Sequence, residues 1–382
     1  MDRQERARHE YAGLLGGSAD EVLAGIRQRS PRMYETLTEL GFGGVMTHAE
    51  LGRAERELAT VAIIAALGGA EPQLASHVRG ALHQGWSASE LLALCEHVTL
   101  YAGFPRGLNA LTVVDEVLAT RPPKLRRIAL ADHETEVAEA GDTGPAVLLV
   151  HSMGADWRVW EQLIGRLAVG RRVFGYDLRG HGHAAGASPF TMADTGRDLL
   201  GVLDALGLDR AHVVGLAFGG AIAQTAAVAA PDRFESLALL ATTDTPLPEI
   251  FETRAKIAET DGMSALVAPM LTRWFSADAL AENGWGVRYA RERLRRFVPA
   301  DWAAGWRAFT SLNVRDRLRG FTAPTLVLAG EADVSATPEM MSALARRIPG
   351  AEYRQLPGAP HMMTLETSEL VADALDKFLP PE

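Results

Sequence analysis

The chain has 382 residues, a formal net charge of −10 and an apolar content of 47%. This length favours two domains, and the apolar content is sufficient for a full core in each of them. The acidic charge balance argues against nucleic acid as a partner. Cys95 is the only cysteine, which excludes an intrachain disulfide framework and any Cys-x-x-Cys redox or zinc site.

The sequence has no apolar run of the length, about eighteen residues, that a transmembrane helix needs. Its charged first residues, Met1 to Arg6, lack the apolar stretch of a secretory signal peptide. We therefore expect a cytoplasmic protein that does not contact membranes.

Residues 1–120 carry a helical pattern throughout and predict an all-α domain. The segment from Glu57 to Leu67 is too apolar for a surface helix, so we expect it to be buried. The segment from Leu74 to Leu82 places His77 on one face with apolar side chains, so His77 should point inward.

Two further helices complete this domain. Ser87 and Glu90 have the spacing of a capping box, which predicts that a helix begins here and continues from Leu91 to Tyr101. A last helix is expected from Gly107 to Ala119.

From about Glu10 to Leu118 this domain resembles the carboxymuconolactone decarboxylases. The motifs that carry the resemblance are Arg56-Glu57-Leu58, His77-Val78-Arg79-Gly80-Ala81-Leu82 and Tyr101-Ala102-Gly103-Phe104-Pro105. Related thiol peroxidases have cysteines where this chain has Leu74 and His77, so peroxidase activity is excluded. The resemblance implies that Glu57 and His77 form an acid/base pair and that the domain self-associates into a homo-oligomer.

The chemistry of such a decarboxylase suits these residue types. Loss of CO₂ beside an unsaturated lactone carbonyl leaves electron density on carbon, and a histidine held by a carboxylate can return a proton there. The carbonyl is itself the electron sink, so we expect no metal and no organic cofactor. Arg79 is a candidate to bind a substrate carboxylate. Alternatively, Arg79 is an exposed surface residue and His77 is a core residue whose hydrogen bonds are satisfied.

The linker is expected at Arg121 to Lys124, where two prolines stop the helix and stiffen the chain. From Leu125 onward, short apolar runs alternate with helical segments, which predicts a mostly parallel sheet with helices against it. A last short strand should precede His361. The other strands are expected at Val147–Val150, Val173–Tyr176, Val213–Leu216, Leu237–Leu240 and Thr325–Leu328.

The run from Val213 to Gly220 is an apolar strand that turns through glycines into a helix. Its layout is that of the nucleophile elbow G-x-S-x-G, in which glycines allow one strained residue to stand at the top of a parallel sheet. Ala217 occupies the nucleophile position, and a methyl group cannot attack a carbonyl. The alternative is an ordinary glycine-rich turn of a doubly wound fold.

The partners of a nucleophile elbow follow in the required order, an acid and then a histidine. Asp333 comes after a buried strand and is the candidate that orients the base. His361 follows the last short strand and is the candidate general base. A single acid or histidine after a strand is usually structural, so the prediction depends on their order relative to Ala217.

The loop after the strand Val147–Val150 would supply one of two oxyanion donors. These donors are expected to be the backbone N–H groups of Met153 and Phe218. Ser152 in this loop and Trp157 beyond it are expected to contact the substrate.

With Tyr176-Asp177-Leu178-Arg179-Gly180-His181-Gly182 between this loop and the elbow, residues 125–382 resemble the α/β-hydrolase superfamily and, within it, the 3-oxoadipate enol-lactonases. The resemblance implies an α/β-hydrolase fold with a helical cap at about residues 245–310. Four tryptophans of this cap could line the pocket or form the core of the cap: Trp274, Trp285, Trp302 and Trp306.

The two resemblances together imply a bifunctional enzyme of protocatechuate degradation. It would act on small anionic lactones, first 4-carboxymuconolactone and then 3-oxoadipate enol-lactone, although fusions known in that pathway place the hydrolase first. Ala217 indicates an engineered inactive variant that holds its substrate, or a natural protein without acyl-enzyme chemistry; the otherwise intact site favours the former.

Two other functions remain open. One is a secondary-metabolism enzyme that processes a lactone or a polyketide-like acid. The other is a second domain that acts as a non-catalytic binding or scaffold module. The retained Asp333 and His361 argue against a scaffold, because a scaffold needs neither a base nor the acid that orients it.

Overall fold

The computed structural model describes residues 19–42, 44, 46, 50–84, 86, 88–119, 123–184, 186 and 189–379. The chain divides into two compact units, Met1–Arg121 and Pro122–Glu382. Ser87 of the predicted capping box and Arg121 and Pro122 of the predicted linker lie outside the described residues. Among those described, no helix combines the length and apolarity needed to cross a membrane.

The first unit contains helices and turns in the part that the structure describes. Gly107 allows two of these helices to pack closely, because a Cβ atom there would lie 1.8 Å from Oγ1 of Thr99. The helices are α1 (Ala19–Arg29), α2 (Pro31–Thr36) with a π-helical continuation (Leu37–Phe42), α3 (Arg53–Leu67), α4 (Glu71–His83), α5 (Ala88–Ala102) and α6 (Phe104–Ala119).

Helix α3 is buried on one face only, so the expectation that Glu57–Leu67 is a buried helix is wrong for much of its surface. Val61 and Ala65 are buried on the inner face, one helical turn apart. Ile63 and Leu67, by contrast, are 59% and 68% exposed. The other helices of the unit cover one side of α3, and its apolar outer side stays uncovered within a single copy.

The second unit is built around one sheet whose eight strands run in the order β1-β2-β4-β3-β5-β6-β7-β8 among the described residues. Strands β3 to β8 are parallel, whereas β1 pairs with β2, and β2 with β4, antiparallel. The strands are β1 (Lys124–Ala129), β2 (Glu134–Ala140), β3 (Ala146–Val150), β4 (Arg172–Tyr176), β5 (Ala211–Leu216), β6 (Phe234–Leu240), β7 (Thr325–Gly330) and β8 (Glu352–Leu356).

Every strand predicted from the sequence is present, and the structure adds the antiparallel strands β1 and β2. Lys124, which was assigned to the linker, is instead the first residue of β1. In that strand only Ile128 is buried. An edge strand has a single neighbour and an exposed face, so it needs few apolar residues and lacks the apolar run of a central strand.

The helices of the second unit form two groups, one next to the sheet and one that makes up the cap. Those next to the sheet are α7 (Glu161–Leu167), α8 (Met192–Ala205), α9 (Phe218–Ala229), α15 (Pro338–Ala345), α16 (Met363–Glu366) and α17 (Ser368–Phe378). The predicted cap is present between β6 and β7 as α10 (Pro248–Asp261), α11 (Ser264–Trp274), α12 (Ala277–Glu282), α13 (Trp285–Arg296) and α14 (Pro299–Thr310). Because β3, β5 and β7 are parallel, the loops that follow them meet at one edge of the sheet.

Candidate active site

Ala217 lies between β5 and α9 with the backbone of a nucleophile elbow. Its φ of 50° and ψ of −111° are a conformation that non-glycine residues rarely adopt. The flanking glycines are required, because a Cβ atom at Gly219 would lie 2.2 Å from the carbonyl oxygen of Val150. A Cβ atom at Gly215 would lie 2.6 Å from the carbonyl oxygen of Gly219. The backbone is thus shaped to present residue 217, and the side chain presented is a methyl group.

Strand β6 and the second residue after it, Thr242, hold this elbow. The N–H of Ala217 donates to the carbonyl oxygen of Leu240 at 2.9 Å. The hydroxyl of Thr242 donates to the carbonyl oxygen of Ala217 at 2.5 Å. The sequence interpretation missed Thr242, because a threonine after a strand belongs to no motif.

Asp333 and His361 form the hydrogen-bonded pair that their order in the sequence predicts. Oδ2 of Asp333 lies 2.8 Å from Nδ1 of His361. Oδ1 accepts the N–H groups of Ser335 at 2.7 Å and Ala336 at 3.0 Å, which fixes the carboxylate plane. With Nδ1 directed at the carboxylate, Nε2 is the nitrogen left to act as a base. His361 lines the same cavity as Ala217.

The two expected oxyanion donors also lie at this cavity. Phe218 is the first residue of α9, and the first N–H groups of a helix have no acceptor within it. Met153 lies in the loop after β3, and both residues line the cavity beside Ala217. Two backbone N–H groups at a helix start and an adjacent loop suit the stabilisation of negative charge on a carbonyl oxygen.

A buried histidine that the sequence interpretation missed fixes the oxyanion loop. Burial lowers the pKa of His151 to about 3, so its ring is neutral at physiological pH. Its Nε2 accepts the N–H of Leu178 at 2.9 Å, and its Nδ1 donates to the carbonyl oxygen of Ser152 at 2.8 Å. One neutral ring thereby joins the loop after β3 to the loop after β4.

The cavity encloses about 730 Å³, including the part that opens to solvent. Ser152 lines it, as expected, with its hydroxyl oxygen 3.6 Å from the sulfur of Met362. Of the four cap tryptophans, Trp274 and Trp306 line the cavity and Trp285 and Trp302 do not. Trp274, Trp302 and Trp306 belong to the hydrophobic core, and Trp285 packs against it. The other cap residues along the cavity wall are Leu247, Ile250, Phe251, Arg254, Met270, Arg273 and Phe309.

The expectation that Trp157 contacts the substrate is wrong. Unlike Trp274 and Trp306, which are similarly buried, Trp157 does not line the cavity beside Ala217. Its side chain is 4% exposed and packs in the hydrophobic core. The N–H of Trp157 donates to Oδ1 of Asp177 at 3.1 Å, and the guanidinium of Arg158 lies 5.5 Å from the centre of its ring. The short 3-10 helix Trp157–Trp160 that begins here directs the ring into the core.

Asp156 joins the cap to the oxyanion loop. Its Oδ1 accepts the hydroxyl of Tyr289 on α13 at 2.9 Å, and its own N–H donates to the same hydroxyl oxygen at 3.0 Å. Arg293, one turn further along α13, places Nε 3.1 Å from Oδ2. The cap is therefore held by a buried carboxylate next to the residues that would bind a carbonyl oxygen.

Two groups of acids and histidines outside the cavity bring possible metal ligands within 4.8 Å of one another. The first group consists of Asp132, His133 and Asp198. Arg179 bridges its two acids, at 2.8 Å from Asp132 and 2.7 Å from Asp198. The second group consists of Glu136, Asp177 and His183. Here Nδ1 of His183 lies 3.0 Å from Oε1 of Glu136. Both groups are explained by these internal ion pairs, and we assign neither of them a metal.

The first unit has a separate site at the contact of α3 and α4. Nδ1 of His77 lies 2.7 Å from Oε1 of Glu57, whose side chain is fully buried. The other carboxylate oxygen, Oε2, is also buried and has no hydrogen-bond partner among the described residues. The side chain of His77 is 23% exposed, so one edge of the ring is accessible. Arg79 is exposed on α4.

Comparison with known families agrees with the division of the chain into two units. The model of the alpha/beta hydrolase fold family matches residues 145–367, and that of the carboxymuconolactone decarboxylase family matches residues 31–116. The first match spans more than half of the chain, which therefore belongs to the α/β-hydrolase fold family. The first unit carries a domain of the carboxymuconolactone decarboxylase family. Both resemblances inferred from the motifs are confirmed.

Among individual proteins, the chain is similar to enol-lactonases. It is 29% identical to 3-oxoadipate enol-lactonase 1 of Acinetobacter baylyi, over 62% of this chain and 90% of that protein. The enol-lactonase structure from Burkholderia xenovorans LB400 is 31% identical with a TM-score of 0.64, over 66% of this chain and 99% of that one. The putative carbamate hydrolase RutD of Caulobacter sp. strain K31 is 30% identical, over 65% of this chain and 96% of that protein.

Proposed function

We propose that the chain combines a lactone decarboxylase in its first unit with an enol-lactone site in its second unit. The substrates would be 4-carboxymuconolactone and then 3-oxoadipate enol-lactone. The observation that carries this proposal is that each unit holds a histidine hydrogen-bonded to a buried carboxylate, at 2.7 Å for His77 and Glu57 and at 2.8 Å for His361 and Asp333. The similarity to proteins named enol-lactonases supports the second substrate.

In the first unit, His77 would act as the proton donor to carbon. The bond between the ring carbon and its carboxylate breaks, CO₂ leaves, and the electron pair moves into the unsaturated lactone carbonyl. Protonated His77 then gives its proton to carbon, and Glu57 stabilises the charged imidazole before that transfer. The accessible edge of His77 is where the substrate would bind, and Arg79 is a candidate to hold a carboxylate of the substrate.

In the second unit, Ala217 removes the acyl-enzyme route. The N–H groups of Met153 and Phe218 would still bind the lactone carbonyl oxygen, and His361 could activate only a water molecule. We therefore propose a site that binds the enol-lactone and hydrolyses it slowly. Ala217 also favours a second candidate function, a non-catalytic pocket that retains the lactone made by the first unit.

We also propose that the first unit self-associates through its uncovered apolar surface. A single copy leaves a group of large apolar side chains between 59% and 82% exposed: Ile63, Leu67, Leu100, Tyr101, Phe104 and Leu108. They lie on α3, α5 and α6, and monomeric proteins rarely leave large apolar patches in water. Light scattering across micromolar concentrations should give the mass of an oligomer, and a strictly monomeric mass would contradict this part of the proposal.

The test of the whole proposal is to supply 4-carboxymuconolactone to the full chain and follow CO₂ release and lactone loss separately. His77→Ala should abolish CO₂ release while the circular dichroism spectrum is retained. Gln73→Ala, an exposed position of the same helix, is the matched control and should keep the parent rate. An unchanged CO₂ release in His77→Ala would refute the decarboxylase assignment.

A further inference from the structure

Two arginines of the cap line the cavity of the second unit, and among the described residues no ion pair joins either of them to an acid. Arg273 donates one N–H to the carbonyl oxygen of Val334 at 3.4 Å. Arg254 on α10 and Arg273 on α11 both line this cavity, and none of the described residues along its wall is acidic. Two acids of α10 pair with a different arginine of the cap. Glu252 and Glu259 pair with Arg307 at 3.1 and 2.6 Å.

The guanidinium of Arg254 is held in one orientation by an aromatic ring. Its central carbon lies 4.5 Å from the ring centre of Trp306. The carbonyl oxygen of Arg254 accepts the indole N–H of Trp302 at 3.2 Å, which fixes this turn of α10 against α14. Stacking covers the flat face of a guanidinium and leaves its N–H edges available, and these edges match the geometry of a carboxylate.

The two charges are close enough to affect each other. Burial, and secondly the charge of Arg273, lower the pKa of Arg254 to about 10. Arg254 therefore remains charged at neutral pH, and an anion between the two side chains would relieve their repulsion. A positively charged wall in a partly closed cavity also concentrates anionic ligands.

We propose that Arg254 and Arg273 form a carboxylate-binding subsite in this cavity. The inference rests on the proposed function and specifies its substrate class, a small lactone or acid with a free carboxylate. The carboxylate binds to the cap arginines while the reacting carbonyl lies at Met153 and Phe218. The apolar side chains along the wall contact the carbon chain between these two polar groups.

The subsite can be tested by calorimetric titration of the full chain, with Ala217 in place, against three six-carbon probes. Adipate has two carboxylates, hexanoate has one, and hexanamide has none. We expect both acids to bind at least roughly tenfold more tightly than hexanamide, as hydrogen bonds to charged groups allow. Arg254→Gln and Arg273→Gln should each remove most of this difference, and Arg254→Lys should restore part of it.

The affinity for hexanamide is the internal control, because loss of the carboxylate subsite should leave it unchanged whereas misfolding would abolish it. Arg295→Gln, at an exposed arginine of the same cap, should behave as the parent does. Equal affinities for hexanoate and hexanamide in the parent chain, or unchanged acid binding in both glutamine variants, would overturn the proposal. If acids bind as expected but no lactone is bound or hydrolysed, the subsite stands and the enol-lactone assignment fails.

Discussion

Nδ1 of His77 lies 2.7 Å from Oε1 of Glu57, so α3 and α4 bring a histidine into contact with a fully buried carboxylate. This contact sets the direction of the imidazole: Nδ1 is directed at the carboxylate, and Nε2 is left for the accessible edge. The pair therefore has the geometry of an acid/base catalyst.

Replacing Glu57 with glutamine should separate this catalytic role from packing. Glutamine keeps the shape and a hydrogen-bonding oxygen but removes the negative charge, so decarboxylation should fall by about 10²- to 10⁴-fold, the range of general acid–base catalysis. The rate of CO₂ release measures the effect. Glu55→Gln, at an exposed acid of the same helix, should leave the rate unchanged. Equal rates in the two variants would remove Glu57 from the mechanism.

Local signals predicted the central strands and the pair of Asp333 and His361, whereas the pair of Glu57 and His77 came from the resemblance to the carboxymuconolactone decarboxylases. The parallel strands were apolar runs, and Asp333 and His361 followed such runs in a fixed order. By contrast, the edge strand β1 gave no such signal, because its residues are mostly exposed and it has little apolar content. Strand β2 lies inside the sheet, but its buried residues include Thr135 and Glu136, so it has no apolar run either. Trp157 was assigned to the substrate site because it is close in sequence to the oxyanion loop. The direction of its side chain is set by the 3-10 helix that begins there, and the sequence does not show this direction.

Residues that contact the site from distant positions in the sequence could not be predicted either. Thr242 contacts Ala217 from 25 positions away, and Tyr289 contacts Asp156 from 133 positions away. Arg254 and Arg273 belong to a chain rich in arginine, so their placement on the cavity wall gave no local signal. The apolarity of α3 was visible in the sequence, but the sequence did not show which face of this helix is buried and which is exposed.

The glycine requirement at the elbow can be tested through stability. A Cβ atom at Gly219 would lie 2.2 Å from the carbonyl oxygen of Val150, a backbone atom that cannot move away alone. We expect Gly219→Ala to lower the free energy of unfolding by about 1–3 kcal/mol or to prevent folding. Gly284→Ala, where a Cβ atom meets nothing within 4 Å, is the control. Urea denaturation curves that coincide for the two variants would show that the elbow is not packed as described.

The buried ring of His181 predicts how the stability of the fold depends on pH. Burial, and secondly the charge of His151, lower the pKa of His181 from 6.5 to about 3. The unfolded chain therefore binds this proton between those two values and the folded chain does not. Stability due to the neutral ring is complete above pH 6.5 and is lost as the pH falls toward 3, by about 1.4 kcal/mol per pH unit.

Substituting leucine for His181 removes this proton and keeps an apolar group against Phe297, whose ring centre is 4.9 Å from that of His181. Urea titrations at about pH 7 and about pH 4 give the free energy of unfolding at each pH. The difference between the two values should be smaller in the variant than in the parent chain, because the unfolded variant lacks the one proton that His181 binds in the unfolded parent chain. Taking the difference between the two proteins cancels the other titrating groups. Identical pH slopes would mean that His181 is not buried in its neutral form.

The last prediction concerns the residue at the elbow. The proposed hydrolase site combines a φ of 50° at Ala217, the hydroxyl of Thr242 on the carbonyl oxygen of Ala217, and the His361–Asp333 pair. At the proposed nucleophile position it has a methyl group. Loss of the serine from such a triad costs about a millionfold in turnover, and the residual rate comes from the oxyanion donors and binding. Ala217→Ser adds one oxygen to a backbone that already has the required conformation.

We therefore expect Ala217→Ser to raise hydrolysis of 3-oxoadipate enol-lactone by several orders of magnitude, measured as steady-state kcat on the same lactone for both proteins. The double variant Ala217→Ser with His361→Ala is the matched control. It has the hydroxyl without the base, so its rate should return close to that of the Ala217 chain because the two residues act as a unit. If the serine variant is no faster than the Ala217 chain, His361 is not aligned with position 217, and the second unit is a binding pocket and not a hydrolase that lacks its nucleophile.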